Sequence, residues 1–264
     1  MQTNLTITQA SQLRNFETIF NQLAKQLGEV ITYEQVKNIN YEIIEGIMTM
    51  SNSFIFIYDM RLGYTYVSKS FFEIFGYPPE MLSFQFTITN VHPDDTESII
   101  KATEFFHQYI YTISPEKRKQ VYASNAYRGK RFNGEYAYML FKTMILEMDE
   151  HGNVLSILSM GTDISSLKRD EKEPFILSIQ QKKEPPTMYV LDENKNAVMQ
   201  ENYFGKRDFE ILKLLAQNKS SKEIGNILFI SPHTVDTHRR KLLDKMNVND
   251  TASAVVYATM LGWI

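Results

Sequence analysis

Ser220-Ser221-Lys222-Glu223-Ile224-Gly225-Asn226-Ile227-Leu228-Phe229-Ile230-Ser231-Pro232-His233-Thr234-Val235 is the stretch that decides the fold of the C-terminal part of this chain. Ser220 and Glu223 are spaced as a capping box, in which the hydroxyl accepts from the Glu223 amide while the carboxylate reaches back. Ile224, Ile227 and Leu228 supply the buried face of the short helix that follows. Phe229 to Ser231 make a compact turn in which Ser231 caps and Pro232 opens the next helix. Two short helices joined this way form a helix-turn-helix unit. On the second, Val235, Leu242, Leu243 and Met246 face inward, which sends His233, Asp236, Thr237, Arg240 and Lys241 outward together. In a major groove such a face sets its early residues on base edges and its flanking cations near phosphates. A preceding helical run, residues 206–218, carries Ile211, Leu212, Leu214, Leu215 and Ala216.

Composition bounds the domain count and excludes much chemistry. The 264 residues are 43% hydrophobic and 22% charged, enough apolar content for one or two ordinary cores. The absence of cysteine excludes disulfides, thiolate zinc sites, iron–sulfur centres, a cysteine nucleophile and a flavin–cysteinyl photoadduct. Residues 1–199 hold 19 basic and 24 acidic side chains, against 9 and 7 in residues 200–264, so the two parts are expected to meet different partners. The cluster Arg239, Arg240, Lys241 and Lys245, taken on its own, reads as a solvated helix face before a phosphate contact. The polar start, Met1 to Ala10, has no basic region leading into an apolar run, and no stretch approaches the roughly 18 apolar residues that cross a bilayer. A cytoplasmic location without membrane attachment is expected.

Upstream, Leu13, Phe16, Phe20, Leu23 and Leu27 form one amphipathic stripe, and Val36, Ile39, Ile43, Ile47 and Met50 a second. Either a dimer seam or packing on the neighbouring domain accounts for them. From Ser53 the pattern becomes extended: a strand at Phe54 to Ile57, a turn at Arg61 to Gly63 and a strand at Tyr64 to Val67 read as a hairpin. A short helix, Phe71 to Phe75, stops at Gly76 and the two prolines after it. His92-Pro93-Asp94-Asp95 opens a longer helix, where the carboxylates face the positive end of the dipole. Two long strands, Glu135 to Met148 and Asn153 to Thr162, flank a tight turn at Asp149 to Asn153. The first is apolar on both faces, so each face must be covered. Residues 168–200 turn polar and read as a linker with room for an extra hairpin.

With these residues in view, the terminal segment resembles the LuxR-type (GerE-like) helix-turn-helix domain of bacterial transcription regulators. Arg207, Asp208, Glu210, Ile211, Leu212, Leu214, Leu215, Ala216, Ser220, Lys222, Glu223, Ile224, Leu228, Ile230, Ser231, Thr234, Val235, His238, Lys245, Val248 and Ala254 carry the match. The resemblance implies that the third helix reads DNA, with Thr234, Thr237, Arg240 and Lys241 on its outer face beside His233, and with Ser220, Ser221 and Lys222 near the backbone. It implies a fourth helix that pairs two subunits, for which Val256, Tyr257 and Met260 are candidates, although ordinary core is an equal account of them. Asp236 departs from the family, which has Lys or Arg there. His238 sits close to the buried side of its helix and suits a structural or phosphate-capping role.

Residues 51–167 resemble a PAS domain through the aromatic hairpin, Phe71-Phe72-Glu73-Ile74-Phe75-Gly76-Tyr77, His92-Pro93-Asp94-Asp95, Arg131-Phe132-Asn133-Gly134-Glu135-Tyr136 and Gly161-Thr162-Asp163-Ile164-Ser165. That resemblance implies an antiparallel sheet used for sensing or dimerisation. Tyr138, Leu140, Met144, Leu158 and Met160 are the candidate lining of a small apolar pocket, or else simply core. No cofactor is required by the sequence, and His107, alone on its helix, reads as a surface residue rather than a haem ligand.

The expected architecture is α+β: N-terminal amphipathic helices (1–50), a PAS-like antiparallel sheet with short helices (51–167), the linker (168–200) and an all-α four-helix helix-turn-helix domain (201–264). The expected function is a DNA-binding transcription regulator in which a PAS sensor controls a LuxR-type helix-turn-helix. Its partners would be double-stranded DNA, a second copy of the chain and a small-molecule ligand in the PAS-like part. The alternative is a PAS-based interaction module whose helix-turn-helix no longer binds DNA, motivated by Asp236 and the modest +2 charge. An enzyme is not expected: no phosphate loop, His-Glu-x-x-His or Gly-x-Ser-x-Gly occurs, and the histidines at 92, 107, 151, 233 and 238 are scattered.

Overall fold

Alternation along the longest strand organises the molecule. In the computed structural model, which describes residues 41–168, 175–181, 186–191, 197–199 and 203–264, β4 (Tyr136–Met148) lies in the middle of one antiparallel sheet. Around it stand β1 (Ser53–Asp59), β2 (Gly63–Val67), β3 (Val121–Lys130), β5 (Val154–Asp163), β6 (Ile176–Gln181), β7 (Thr187–Leu191) and β8 (Ala197–Met199). The order across the sheet is β2-β1-β5-β4-β3-β6-β7-β8. Successive side chains of a strand point to opposite faces. On one face Ala137, Met139 and Phe141 pack with Phe54, Phe71 and Phe75. On the other, Leu140 is buried in a cluster shared with Phe204, Tyr257 and Trp263. The two-faced strand is thus covered on both sides, as its apolar composition requires.

The helices on the first face follow from local signals. α1 (Tyr41–Met50) packs on β1 with Met48 buried, while Glu45 accepts from the Tyr66 hydroxyl at 2.7 Å and from the Lys69 amide at 3.0 Å. Ile47 and Met50 of the second stripe are exposed, Met50 by 89%. The first stripe, with Val36 and Ile39, lies outside the described residues. α2 (Lys69–Phe75) ends where Gly76 adopts φ +79°, α3 spans Phe84–Thr89 and α4 Pro93–Tyr111. At the start of α4 the His92 Nδ1 accepts from the Asp94 amide, and Asp95 forms a bidentate pair with Arg128 on β3. This leaves the carboxylates a structural duty. A single turn, α5 (Pro115–Arg118), leads into β3.

The stretch read as a linker behaves differently. Within 168–200, β6 pairs with Val121–Ser124 of β3, β7 pairs with β6, and β8 pairs with β7. The physical reason is the open edge that β3 would otherwise present. The short apolar runs, Phe175 to Ile179 and Met188 to Leu191, are long enough to fill it, and Leu177, Ile179 and Met188 are buried there. The extra hairpin is present, with a third strand beyond it.

The C-terminal part consists of α6 (Lys206–Ala216), α7 (Ser221–Leu228), α8 (Pro232–Met246) and α9 (Thr251–Leu261). Ile211, Leu212, Ile224, Val235, Leu242 and Ala258 are almost wholly buried in its core, each large side chain contributing on the order of 1.5–3 kcal/mol. The architecture is α+β, an antiparallel sheet with short helices joined to an all-α four-helix unit.

Candidate nucleic-acid interface and interior cavity

The turn between α7 and α8 is built tightly. The Ser220 hydroxyl accepts from the Glu223 amide at 3.3 Å, and the Glu223 carboxylate accepts from the Ser220 amide at 2.8 Å. That backbone bond, then the Ser220 hydroxyl, holds the Glu223 carboxyl below its usual range. Phe229 closes α7 in the left-handed region, and the Ile230 amide returns to the Gly225 carbonyl at 3.0 Å. A Cβ on Gly225 would lie 2.7 Å from the Ile230 carbonyl oxygen, so this crossing requires glycine. Ser231 then accepts from the Thr234 amide at 3.0 Å and Pro232 opens α8.

Val235, Leu242 and Met246 point inward from α8, and His233, Thr234, Arg240 and Lys241 lie exposed on its outer side, with Thr237 half-buried among them. Thr237 Oγ1 donates to the His233 carbonyl at 3.0 Å. Ser220 and Lys222 are exposed at the start of α7. Ser221, expected near the DNA backbone, is engaged within the domain. Its hydroxyl donates to Asp236 at 2.6 Å and accepts from Arg239 at 2.7 Å, while Arg239 also reaches Thr251 at 3.0 Å and lies 3.6 Å from Asp236. Asp236, the departure from the family pattern, is therefore charge-compensated inside a network that sequence reading missed. The i,i+3 spacing of Asp236 and Arg239 was the available signal.

His238 turns toward the interior. Its Nδ1 lies 2.9 Å from Asp208 of α6, whose other oxygen accepts from the Gly205 amide at 3.1 Å and from Lys245 at 3.3 Å. One buried carboxylate thus ties α6 to α8 at two points. Of the pairing candidates on α9, Val256 is 45% exposed and Met260 half-buried. Tyr257 is a correction: at 8% exposure it belongs to the core, with the Lys168 ammonium 4.5 Å over its ring. Its position one residue past Val256 rotates it away from the outer face.

The interior cavity also corrects the sequence reading. A space of about 250 Å³ lies between the sheet and its helices, walled by aromatic residues including Phe54, Tyr64, Phe75, Tyr127 and Phe141. Tyr138, Leu140, Met144, Leu158 and Met160 do not line it. The period of two explains the error: the cavity receives Phe141, Thr143 and Ile145 of β4 and Ile157 and Ser159 of β5, and the chosen residues occupy the opposite parity. Leu140 and Tyr138 instead pack toward the C-terminal helices. Burial pushes the Tyr64 phenol up to about 12 despite its bond to Thr87, and pushes the Tyr127 phenol up as well. His107, expected at the surface, lines the cavity, and burial holds its imidazole below the usual value.

Among the described residues no helix is long and apolar enough to cross a membrane, and no cluster of His, Asp and Glu is arranged to hold a metal ion.

Comparison with known proteins gives matches to both parts. Residues 202–258 match the family described as bacterial regulatory proteins, luxR family, and residues 64–160 match the PAS fold. The transcriptional regulatory protein LiaR of Bacillus subtilis is 51% identical over 53 residues, covering 20% of this chain and 25% of the relative. The quorum-sensing regulator RhlR of Pseudomonas aeruginosa is 33% identical over 113 residues, covering 42% and 47%. The chain thus spans from a quarter to about half of the length of such relatives. Among solved structures, the phage VqmA–DPO complex aligns over 86% of this chain and 91% of its own, at 14% identity and a TM-score of 0.30. The N-terminal domain of a diguanylate cyclase with PAS/PAC sensor from Marinobacter aquaeolei aligns over 43% of this chain and 95% of its own, at 18% identity and a TM-score of 0.35. On the two family matches, this chain carries a luxR-family regulatory domain at residues 202–258 and a PAS fold at residues 64–160.

Proposed function

We propose that the protein is a DNA-binding transcription regulator in which the PAS-fold part senses a small molecule and controls the luxR-type helices. The observation that carries this reading is the outer face of α8. His233, Thr234, Arg240 and Lys241 are exposed together on a helix whose first turn is fixed by the Ser231 cap and whose inner side is locked by Asp208. Thr237 completes the face, with Ser220 and Lys222 beside it for phosphate. In this arrangement early residues of the helix meet base edges and the cations meet the backbone.

The sensor comprises residues 51–167 extended by β6 to β8, and the DNA-binding unit residues 201–264. The protein acts by binding rather than catalysis, in the cytoplasm, and as a homodimer whose α9 helices meet through Val256 and Met260. Asp236, which favoured a domain that had abandoned DNA, is held by Ser221 and Arg239, and that removes the main support for the rival reading. The test is selection of bound fragments from source genomic DNA by the full chain at two salt concentrations. Enrichment of a two-fold symmetric site with salt-dependent affinity is expected. Absence of any enriched site, with and without a ligand for the cavity, would overturn the reading.

A further inference from the structure

Asp236 sets a negative charge into the first half of the outer face of α8, where His233, Thr234, Thr237, Arg240 and Lys241 are neutral or cationic. Phosphate repels a carboxylate, so this side chain gains nothing from the duplex backbone. Its surroundings nevertheless hold it in place. Oδ1 accepts from the hydroxyl of Ser221, at the start of α7, at 2.6 Å and lies 3.6 Å from the Arg239 guanidinium. Arg239 is itself fixed by Ser221 at 2.7 Å and by Thr251 at 3.0 Å. Oδ2 makes no hydrogen bond among the described residues, and the side chain is 54% exposed. The compensating cation is Arg239 and not Arg240, which stays exposed on the outer side for phosphate.

The chemistry of base edges then selects a partner. An ionised carboxylate is an acceptor only. In the major groove cytosine presents the N4 amino donor, guanine and thymine present acceptors at O6 and O4, and adenine presents its N6 donor beside the N7 acceptor. A carboxylate oxygen is therefore satisfied by cytosine, opposed by guanine and thymine, and only partly matched by adenine. Early residues of a recognition helix are those that meet base edges, and Asp236 is the fifth residue of α8. The neighbouring Arg239 charge offsets the repulsion that flanking phosphates exert on the carboxylate.

We propose that Asp236 is a specificity-determining residue that reads a cytosine through Oδ2, with Ser221 and Arg239 as the positioning residues behind it. The proposal rests on the reading of the chain as a DNA-binding regulator and adds one base of the operator half-site.

Selection of bound duplexes from a random-sequence pool by the full chain, carried out in parallel for wild type, Asp236→Ala and Asp236→Asn, tests it position by position. In the wild-type half-site one position should favour cytosine about tenfold over guanine and thymine, the worth of one good base contact. Asp236→Ala should level that position to within about twofold, since no acceptor remains there, and leave the preferences at the other positions in place. Asp236→Asn should move the same position toward adenine, because a side-chain amide pairs with adenine N6 and N7 together. The asparagine variant keeps an acceptor for Ser221 and serves if the alanine variant does not fold. Identical preferences in wild type and variants would overturn the proposal and leave Asp236 a brace between α7 and α8. Preferences weakened equally at every position, or a levelled position that had favoured guanine or thymine, would overturn it as well. In each of those cases an enriched site leaves the DNA-binding reading standing. No enriched site with any of the three proteins would overturn that reading, and this proposal with it.

Discussion

Replacing Arg240 with alanine isolates the electrostatic part of the proposed interface. Arg240 and its neighbour Lys241 stand exposed on the outer face of α8, whereas the preceding Arg239 is tied to Ser221 and Thr251 and lies beside Asp236. Each phosphate neutralised by a cation contributes about 0.9 to the slope of log affinity against log salt. If Arg240 meets one phosphate per protomer, Arg240→Ala lowers that slope by about 0.9 per bound protomer. Between 50 and 200 mM salt the wild-type affinity then falls about 3.5-fold more per protomer than that of the variant. The pair Arg240→Ala with Lys241→Ala should double the change in slope. Arg239→Ala should act chiefly on folding, by about 1 kcal/mol, because its hydrogen bonds are internal and about a third exposed. Fluorescence anisotropy of a labelled 20-base-pair duplex of arbitrary sequence reads the slopes, since the electrostatic contribution needs no operator. A slope for Arg240→Ala within about 0.3 of wild type, where one contact is worth about 0.9, would show that this face does not approach DNA.

Asp208→Ala removes the carboxylate that joins Gly205, His238 and Lys245 and should lower stability by about 2–4 kcal/mol; urea unfolding followed through Trp263, the single tryptophan, reads it, and a loss below about 1 kcal/mol would refute the hub. Gly225→Ala drives a Cβ against the Ile230 carbonyl and should destabilise by at least about 1 kcal/mol while weakening duplex binding in the anisotropy assay; a neutral result on both would mean that the turn yields freely. Burial holds His107 below its ordinary 6.5, so on acidification the unfolded chain takes up this proton first. The His107 contribution is therefore complete above about 6.5 and declines as pH falls toward the lower folded value. Urea midpoints from pH 7.5 to 5 should show less pH dependence in His107→Phe than in wild type, and identical profiles would contradict a buried neutral imidazole.

What the sequence disclosed depended on whether the signal was local. The Ser220–Glu223 box, the Ser231–Pro232 start and the inward stripe Val235, Leu242, Met246 are encoded within a turn or two of chain, and the structure reproduces them. Sheet strands with one apolar face would have been equally legible. β4 is apolar on both faces, so its pattern says that each side is covered without saying by what, and choosing the cavity side by chemistry alone selected Tyr138, Leu140 and Met144 in place of Phe141, Thr143 and Ile145. The strands of 168–200 were obscured because their stability derives from the open edge of β3, which is remote in sequence. His107 was misjudged because the apolar space around it is assembled from β1, β3 and α4 together. The Ser221–Asp236–Arg239 network spans two helices, and only its Asp236–Arg239 half lies within the reach of helical spacing.

The same two-faced strand supplies a physical route from cavity to output. Phe141 faces the cavity while Leu140, the adjacent residue, is buried against the C-terminal cluster, and neighbouring residues of a strand share one stiff backbone about 3.3 Å apart. On the proposed sensing role, a ligand that displaces Phe141 would also shift Leu140, against which the cluster of Phe204, Tyr257 and Trp263 packs. Just beyond β5, Lys168 donates to the Met246 carbonyl at 3.0 Å, and the Asn249 amide donates to the Leu167 carbonyl at 3.3 Å. These bonds fall at the C-terminal end of α8, away from the start that carries the proposed DNA contacts. The segment after β5 thus holds α8, the proposed recognition helix, by its far end, and a small rotation there would be carried along 15 residues of helix, about 22 Å at 1.5 Å per residue, to His233 and Thr234. In a dimer, where two such helices must meet successive turns of one duplex, orientation at that distance decides whether both can engage.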